Sequence, residues 1–251
     1  MRAIILGSGS KGNSTLLIGE NKKILIDVGF SYPKMIMNLK EYNILPSDID
    51  AILITHTHTD HIGGLSAFLK KNNIPVYTNS KMFNSLIKYI PEDMVVVMDD
   101  EYSIGEFNIN CIKTSHDAIG SVGFIISDSN SNLVYVTDTG YINKTNLKKM
   151  INKDVYIFES NHDINMLMTG PYPYILKQRV LSDKGHLSNE LAGIYLKELV
   201  GDKTKKIILA HLSEINNTPS IALETVQNIL NNDHIIIDTA LQNETFDVGE
   251  F

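Results

Sequence analysis

The chain has 251 residues, 43% hydrophobic and 20% charged, which excludes disordered and fibrous classes and fits one large domain spanning 1–251. A net charge of −7 argues against binding nucleic acid with a broad basic surface, but leaves room for an enzyme that meets phosphates locally. Cys111 is the single cysteine, so no internal disulfide forms; with no long apolar run, the expectation is a cytoplasmic protein and no membrane partner.

In chain order, Ala3–Leu6, Leu16–Ile18 and Ile24–Ile26 are predicted strands, the last two joined as a hairpin through Glu20–Lys23. A helix is expected near Pro33–Tyr42, a strand at Ala51–Thr55, a helix at Leu65–Lys71 and an extended segment at Pro75–Tyr77. Val95–Met98, Phe107–Lys113, Phe124–Ser127 and Leu133–Thr137 read as strands, with a polar turn at Asp128–Asn132. The second half continues with helix Thr145–Ile151, strand Val155–Phe158 and helices near Pro173–Leu181 and Asn189–Leu199. Strand Lys206–Ala210, helix Ser220–Leu230 and strand Ile235–Ile237 close it. No Pro/Gly/Ser linker divides the chain, so two similar βα halves are expected to pack face to face in one α/β domain.

The histidines carry the chemistry. Three of the eight stand in Thr55-His-Thr-His-Thr-Asp-His61, directly after an apolar strand. On a strand, positions i and i+2 point the same way, so His56 and His58 are expected to share one metal while Asp60 and His61 aim at a second. Gly63-Gly64 is expected to turn the backbone sharply before the next helix. Imidazole and carboxylate without thiolate suit Zn, Mn or Fe.

This segment resembles the metallo-β-lactamase superfamily signature His-x-His-x-Asp-His. The likeness spans nearly the whole chain and implies a four-layer αββα sandwich. Asp27, in Ile26-Asp-Val-Gly29, matches an acid that supports the metal loop by hydrogen bonding. By the same resemblance His56, His58 and His116 hold one metal ion, Asp60, His61 and His211 the other, and Asp138 bridges them. Cys111 stands five residues before His116 and does not match the Cys ligand of the β-lactamase branch; a buried, inert thiol is expected. Asp138 and His211 lie only 73 positions apart, too close for the inserted domain of the large RNA-processing nucleases.

Longer segments resemble the YycJ/WalJ family of small bacterial nucleases. They are Gly7-Ser-Gly-Ser-Lys-Gly-Asn-Ser-Thr15, Ser115-His-Asp-Ala118, Ser121-Val-Gly-Phe124, Glu159-Ser-Asn-His-Asp163, Tyr172-Pro173, Gly185-His-Leu-Ser-Asn189 and Ala210-His-Leu-Ser-Glu-Ile-Asn-Asn217. That resemblance implies an exonuclease that degrades DNA from a 5′ end with two divalent ions, often Mn. The alternative on the same fold is a small-molecule phosphodiesterase or another metal-dependent hydrolase. The residues leave the oligomeric state open.

Gly7-Ser-Gly-Ser-Lys-Gly12 spells a dinucleotide fingerprint, but the apolar run Ser14–Ile18 follows it where that fingerprint needs a helix, so no nucleotide cofactor is expected. Ser8, Ser10 and Asn13 are instead candidates for the substrate edge of the site, with a purely structural glycine turn as the alternative. Two adjacent cations would lower the pKa of a bridging water and clamp the attacking and leaving oxygens. Asp60 is then expected to orient or deprotonate that water, and His186 resembles the general-acid histidine of related phosphodiesterases. Arg179 and Lys184, with Lys177, either meet backbone phosphates or form a solvated face. Tyr172 and Tyr174 are stacking platforms for a terminal base or core residues. His162 is expected in a satisfied polar contact and His234 in a surface turn.

Overall fold

Segments such as Ala3–Leu6 and Leu133–Val136 are apolar at every position, so strands made of them must be covered on both faces. The computed structural model describes residues 1–251 and does cover them. The first seven strands are β1 (Arg2–Gly7), β2 (Ser14–Ile18), β3 (Lys23–Ile26), β4 (Ala51–Leu53), β5 (Val76–Thr78), β6 (Val95–Val97) and β7 (Glu101–Ile104). The others are β8 (Phe107–Lys113), β9 (Val122–Ser127), β10 (Asn132–Val136), β11 (Val155–Glu159), β12 (Lys206–Ala210), β13 (Ile236–Thr239) and β14 (Phe246–Glu250). Helices α1 (Tyr32–Glu41), α2 (Thr59–Ile62), α3 (Leu65–Leu69) and α4 (Ser80–Leu86) belong to the first half. Helices α5 (Lys144–Met150), α6 (Ile164–Thr169), α7 (Tyr174–Leu181), α8 (Asn189–Leu199) and α9 (Pro219–Leu230) belong to the second.

One sheet runs β14-β1-β2-β3-β4-β5-β6 and the other β13-β12-β11-β10-β9-β8-β7. In the first, β14 to β3 pair antiparallel and β3 to β6 parallel. In the second, β7 to β10 pair antiparallel and β10 to β13 parallel. β3 and β10 therefore hold the same place in their sheets, which is the expected likeness of the halves. The halves are not fully separate, because β14 at the end of the chain pairs with β1 and closes the first sheet (Arg2 opposite Glu250).

Strand alternation divides the core into layers. Ala3, Ile5, Ile24 and Ile26 of one sheet meet Phe124, Ile126, Tyr135 and Ile157 of the other. On the outer faces, Ile4, Leu16 and Ile52 pack on Met35, Leu39 and Phe68, while Val134, Tyr156 and Phe158 pack on Leu196 and Val226. This is the αββα sandwich. Losing one fully buried ring such as Phe68 to Ala would cost about 3–5 kcal/mol. α2, α4, α6, β7 and β14 fall outside the elements expected from sequence. They are short, and β14 buries only Val248 among Phe246-Asp-Val-Gly-Glu250, so it lacks a clear apolar period.

Parallel strands from both sheets deliver their C-terminal ends to one edge of the sandwich, the usual place for a site in such sheets. No helix is long and apolar enough to cross a membrane.

Candidate metal centre

β4 stops at Leu53, so His56 and His58 lie in the loop before α2 and not at alternating strand positions as expected. Their convergence comes from Asp27, which is fully buried. Its Oδ1 accepts from the Thr55 backbone N–H at 2.8 Å and its Oδ2 from the Thr55 hydroxyl at 2.7 Å, fixing the loop to the end of β3. His58 is the residue before the first turn of α2, and that turn aims Asp60 and His61 back at it. Gly63 and Gly64 form the turn between α2 and α3, both with negative φ. A Cβ on Gly64 would strike the Phe30 carbonyl, and glycine is required by that approach.

Three site residues adopt left-handed backbone conformations: Asp27 (φ 61°), Asp138 (φ 57°) and His211 (φ 58°). Asp27 and His211 directly follow the ends of β3 and β12, and Asp138 stands two residues past the end of β10. Positive φ is uncommon outside glycine, least so for Asp, Asn and His, and here it turns each side chain off its strand line into the site.

Hydrogen bonds to Nδ1 orient five imidazoles. His61 Nδ1 faces Asp27 Oδ2 at 2.7 Å, and His56 Nδ1 faces the Thr55 hydroxyl at 3.1 Å. His116 Nδ1 faces the Gly185 carbonyl at 3.3 Å. His211 and His186 share Glu159 Oε1, at 3.1 and 2.7 Å. Each acceptor takes the Nδ1 hydrogen, which leaves Nε2 of His56, His61, His116 and His211 as the atom that can meet an ion once it is deprotonated. His58 is reversed: its Nε2 lies 3.4 Å from Asp117 Oδ1, and its Nδ1 faces His116 Nε2 at 3.3 Å.

The donor atoms fall into four close groups: two match the sets expected from sequence, and the others are His56, His61 and Asp138, and Asp138, Glu159, His186 and His211. One donor atom each from His56, His58 and His116 lies within 4.8 Å of the others, as do those of Asp60, His61 and His211. Asp138 sits between them, with Oδ2 3.2 Å from His61 Nε2 and Oδ1 3.7 Å from His116 Nε2 and 3.6 Å from His211 Nε2. Asp60 Oδ2 lies 3.3 Å from His61 Nε2. Donors about 2.1 Å from a shared tetrahedral ion stand roughly 3.4 Å apart, so these spacings suit coordination. His56 Nε2, His211 Nε2 and Asp138 Oδ2 are also buried without a hydrogen-bond partner, which a protein rarely tolerates at three neighbouring atoms. The donor set fits divalent ions.

Electrostatics point the same way. Burial disfavours a charged His211, but Asp138, Asp60 and Glu159 outweigh it and push its pKa up to about 10. Burial likewise opposes a charged Asp60, yet His211 and His61 hold it far below the usual carboxylate range. Glu159, fully buried, is brought down to about 2 against the same penalty, chiefly by His186. In the metal-free protein Asp138 and Asp60 are thus held low and His61 and His211 are raised, whereas burial raises Asp27.

The remaining candidates divide. Ser8 and Asn13 are buried with their polar atoms spent inside the protein, which fits the structural-turn alternative and not the substrate edge. Ser8 Oγ accepts from the His211 backbone N–H at 2.9 Å; Asn13 Nδ2 lies 3.2 Å from Asp60 Oδ2 and 3.0 Å from His61 Nε2. The Gly7–Gly12 turn thus braces the site from below, while Ser10 is exposed at its rim with Lys184. Arg179 spends Nε and Nη2 on Asp117 Oδ2, at 2.7 and 2.6 Å. Lys177 donates to the Met168 carbonyl. Neither nitrogen of buried His162 has a partner, contrary to expectation, and burial lowers its pKa to about 4. His234 is exposed in a turn as expected. Cys111 is half-buried, and burial raises its thiol to about 11.

Sequence reasoning did not single out Glu159, the acid that orients His186 and His211. The signal was present: it ends the predicted strand Val155–Phe158 much as Asp138 ends Leu133–Thr137. Gly185 places His186, since its loop folds onto α7 so closely that a Cβ would collide with the Val180 and Arg179 carbonyls. His186 N then donates to Val180 O at 3.0 Å.

The family model described as the metallo-beta-lactamase superfamily matches residues 7–211. The chain is 36% identical over 231 residues to exodeoxyribonuclease YycJ of Bacillus anthracis, covering 90% of this chain and 88% of that protein. It is 39% identical over 233 residues to exodeoxyribonuclease WalJ of Streptococcus pneumoniae, covering 90% and 87%. Among solved structures, the metallo-beta-lactamase fold protein YhfI of Bacillus subtilis superposes with a TM-score of 0.76 at 18% identity, covering 98% of this chain and 99% of that one. The short form of human tRNase Z gives a TM-score of 0.68 at 14% identity over all of both chains. The strand-end acids, the His-x-His-x-Asp-His loop and these likenesses agree, and the chain belongs to the metallo-β-lactamase superfamily, in the family of the YycJ and WalJ proteins.

Proposed function

We propose that residues 1–251 form a cytoplasmic two-metal phosphodiesterase acting as a 5′-to-3′ DNA exonuclease. The observation that carries this reading is the pairing of two three-donor sets around Asp138 with His186 beside them, its Nδ1 held by Glu159. The exodeoxyribonuclease relatives from Bacillus anthracis and Streptococcus pneumoniae support the choice of DNA.

His56, His58 and His116 would hold one ion and Asp60, His61 and His211 the other, with Asp138 shared; Mn and Zn suit these donors, and Fe is compatible. Such ions supply positive charge at the scissile phosphate and lower the pKa of water. The protein does the rest. Asp60 is ionised and accepts a hydrogen bond from the attacking water, setting its line of approach. As the new P–O bond forms and the bond to the 3′-oxygen breaks, His186 Nε2 gives that oxygen a proton. Glu159 stabilises the imidazolium that provides it. The products are a nucleotide with a free 3′-hydroxyl and a shortened strand with a 5′-phosphate. Ser10 and Lys184 face the substrate from the rim, and Arg179 offers the Nη1 that Asp117 does not use.

Parallel digestion of end-labelled DNA, end-labelled RNA and a chromogenic phosphodiester tests this. DNA should shorten from its 5′ end, and a chelator should stop it. Intact DNA beside rapid hydrolysis of the small ester would favour a small-molecule phosphodiesterase.

A further inference from the structure

A cavity of about 230 Å³ opens beside the metal centre, between α7 and the loop carrying His186. His186 and His116 form its inner wall, Tyr172 and Leu176 an apolar wall, and Ser10 and Lys184 stand at its mouth. The segment forming the apolar wall is unusual. Across α6 and α7 it exposes Ile164, Met168, Tyr174 and Ile175, the last two by 71% and 83%. Tyr172, in the turn between those helices, is half-buried.

We infer that this cavity seats one unpaired terminal nucleotide, with its base stacked on Tyr172. The inference rests on the nuclease reading and adds to it the recognition of the departing group. If His186 protonates the leaving 3′-oxygen, the sugar of the departing nucleotide must lie against His186, and its base must reach the cavity that His186 lines. There the base meets an aromatic face and Leu176, while Lys184 and the Ser10 hydroxyl suit a phosphate at the outer end. Stacking on an aromatic face is available to every base, so it selects an unpaired nucleotide without selecting its sequence. The cavity is smaller than the 300–1,000 Å³ of ordinary ligand sites, roughly, and a still-paired base would carry its partner strand against α7.

The test compares a single-stranded DNA carrying an ordinary 5′-terminal nucleotide with the same strand carrying an abasic 5′-terminal residue. Wild-type protein should show a kcat/KM about 10- to 100-fold higher on the ordinary strand, expressed mostly in KM. Tyr172→Ala should bring that ratio to about 1, and Tyr172→Phe should keep it because the ring is retained. Thermal unfolding and metal content of the variants establish that the fold is intact. Wild-type protein that removes abasic and ordinary ends equally well would overturn the inference while leaving the nuclease reading standing. A ratio unchanged in Tyr172→Ala would also overturn it. No DNA hydrolysis by wild-type protein would remove the nuclease reading, and this inference with it.

Discussion

The Glu159 carboxylate takes the Nδ1 hydrogen of His186 across 2.7 Å, from a fully buried position at the end of β11. The same oxygen reaches His211, and Oε2 accepts the backbone N–H groups of Thr139 and Leu187 at 2.9 and 3.2 Å. One carboxylate thus orients the proposed general acid, a proposed metal ligand and two loops. Asp27 does the corresponding task in the other sheet for His61 and the Thr55 loop.

Glu159→Gln tests that sharing. The amide keeps the shape but has only one acceptor oxygen, so an NH2 must face either the two imidazoles or the Thr139 and Leu187 N–H groups. kcat on DNA should fall by about 10²–10⁴-fold, and metal affinity by about 10- to 100-fold through His211. Kinetics and a metal titration on one preparation read both. Loss of activity with unchanged affinity would mean that His211 does not depend on Glu159.

His186→Ala separates acid from ligand. Both metals should remain, kcat on DNA should fall by about 10²–10⁴-fold, and a nitrophenyl phosphodiester should suffer far less because its leaving group needs no proton. Equal losses on the two substrates would rule out the acid role.

The proton on His211 gives a pH signature. Its pKa is about 10 when folded and metal-free, above the ordinary 6.5, so the stability it contributes is complete below pH 6.5 and is lost as pH rises through 10. The Tm of metal-free protein should therefore fall between pH 7 and 10. Because a ligating imidazole must be neutral, metal binding at pH 8 should also release protons, His61 being raised as well. Calorimetric titration in buffers of different ionisation enthalpy measures this, and zero release would contradict the charge assignment.

Much of the site was legible because it is local. His56, His58, Asp60 and His61 sit in one heptapeptide, and Asp27, His116, Asp138 and His211 each follow an apolar run. Glu159 obeys the same rule, but a lone acid at a strand end carries no spacing to mark it. For Ser8 and Asn13 the sequence leaves two readings open, because nothing local shows that the glycine turn folds beneath Asp60 and His211. Similarly, β14 becomes a strand by pairing with β1 at the opposite end of the chain, a long-range contact that local apolar alternation does not encode.

His162 carries the opposite pH signature. Burial depresses its pKa to about 4, so protonation favours the unfolded chain, and stability is lost as pH falls from 6.5 through 4. The full effect is about 3 kcal/mol. His162→Leu should therefore move the acid-unfolding midpoint to lower pH, as followed by circular dichroism. An unmoved midpoint would show that His162 is protonated without cost.

DNA hydrolysis followed while Mn is titrated into metal-free protein tests the two-ion centre most directly. The His56/His58/His116 and Asp60/His61/His211 sets predict that activity rises to a plateau at about two equivalents per chain. Full activity at one equivalent, or two bound ions with DNA left intact, would contradict the account.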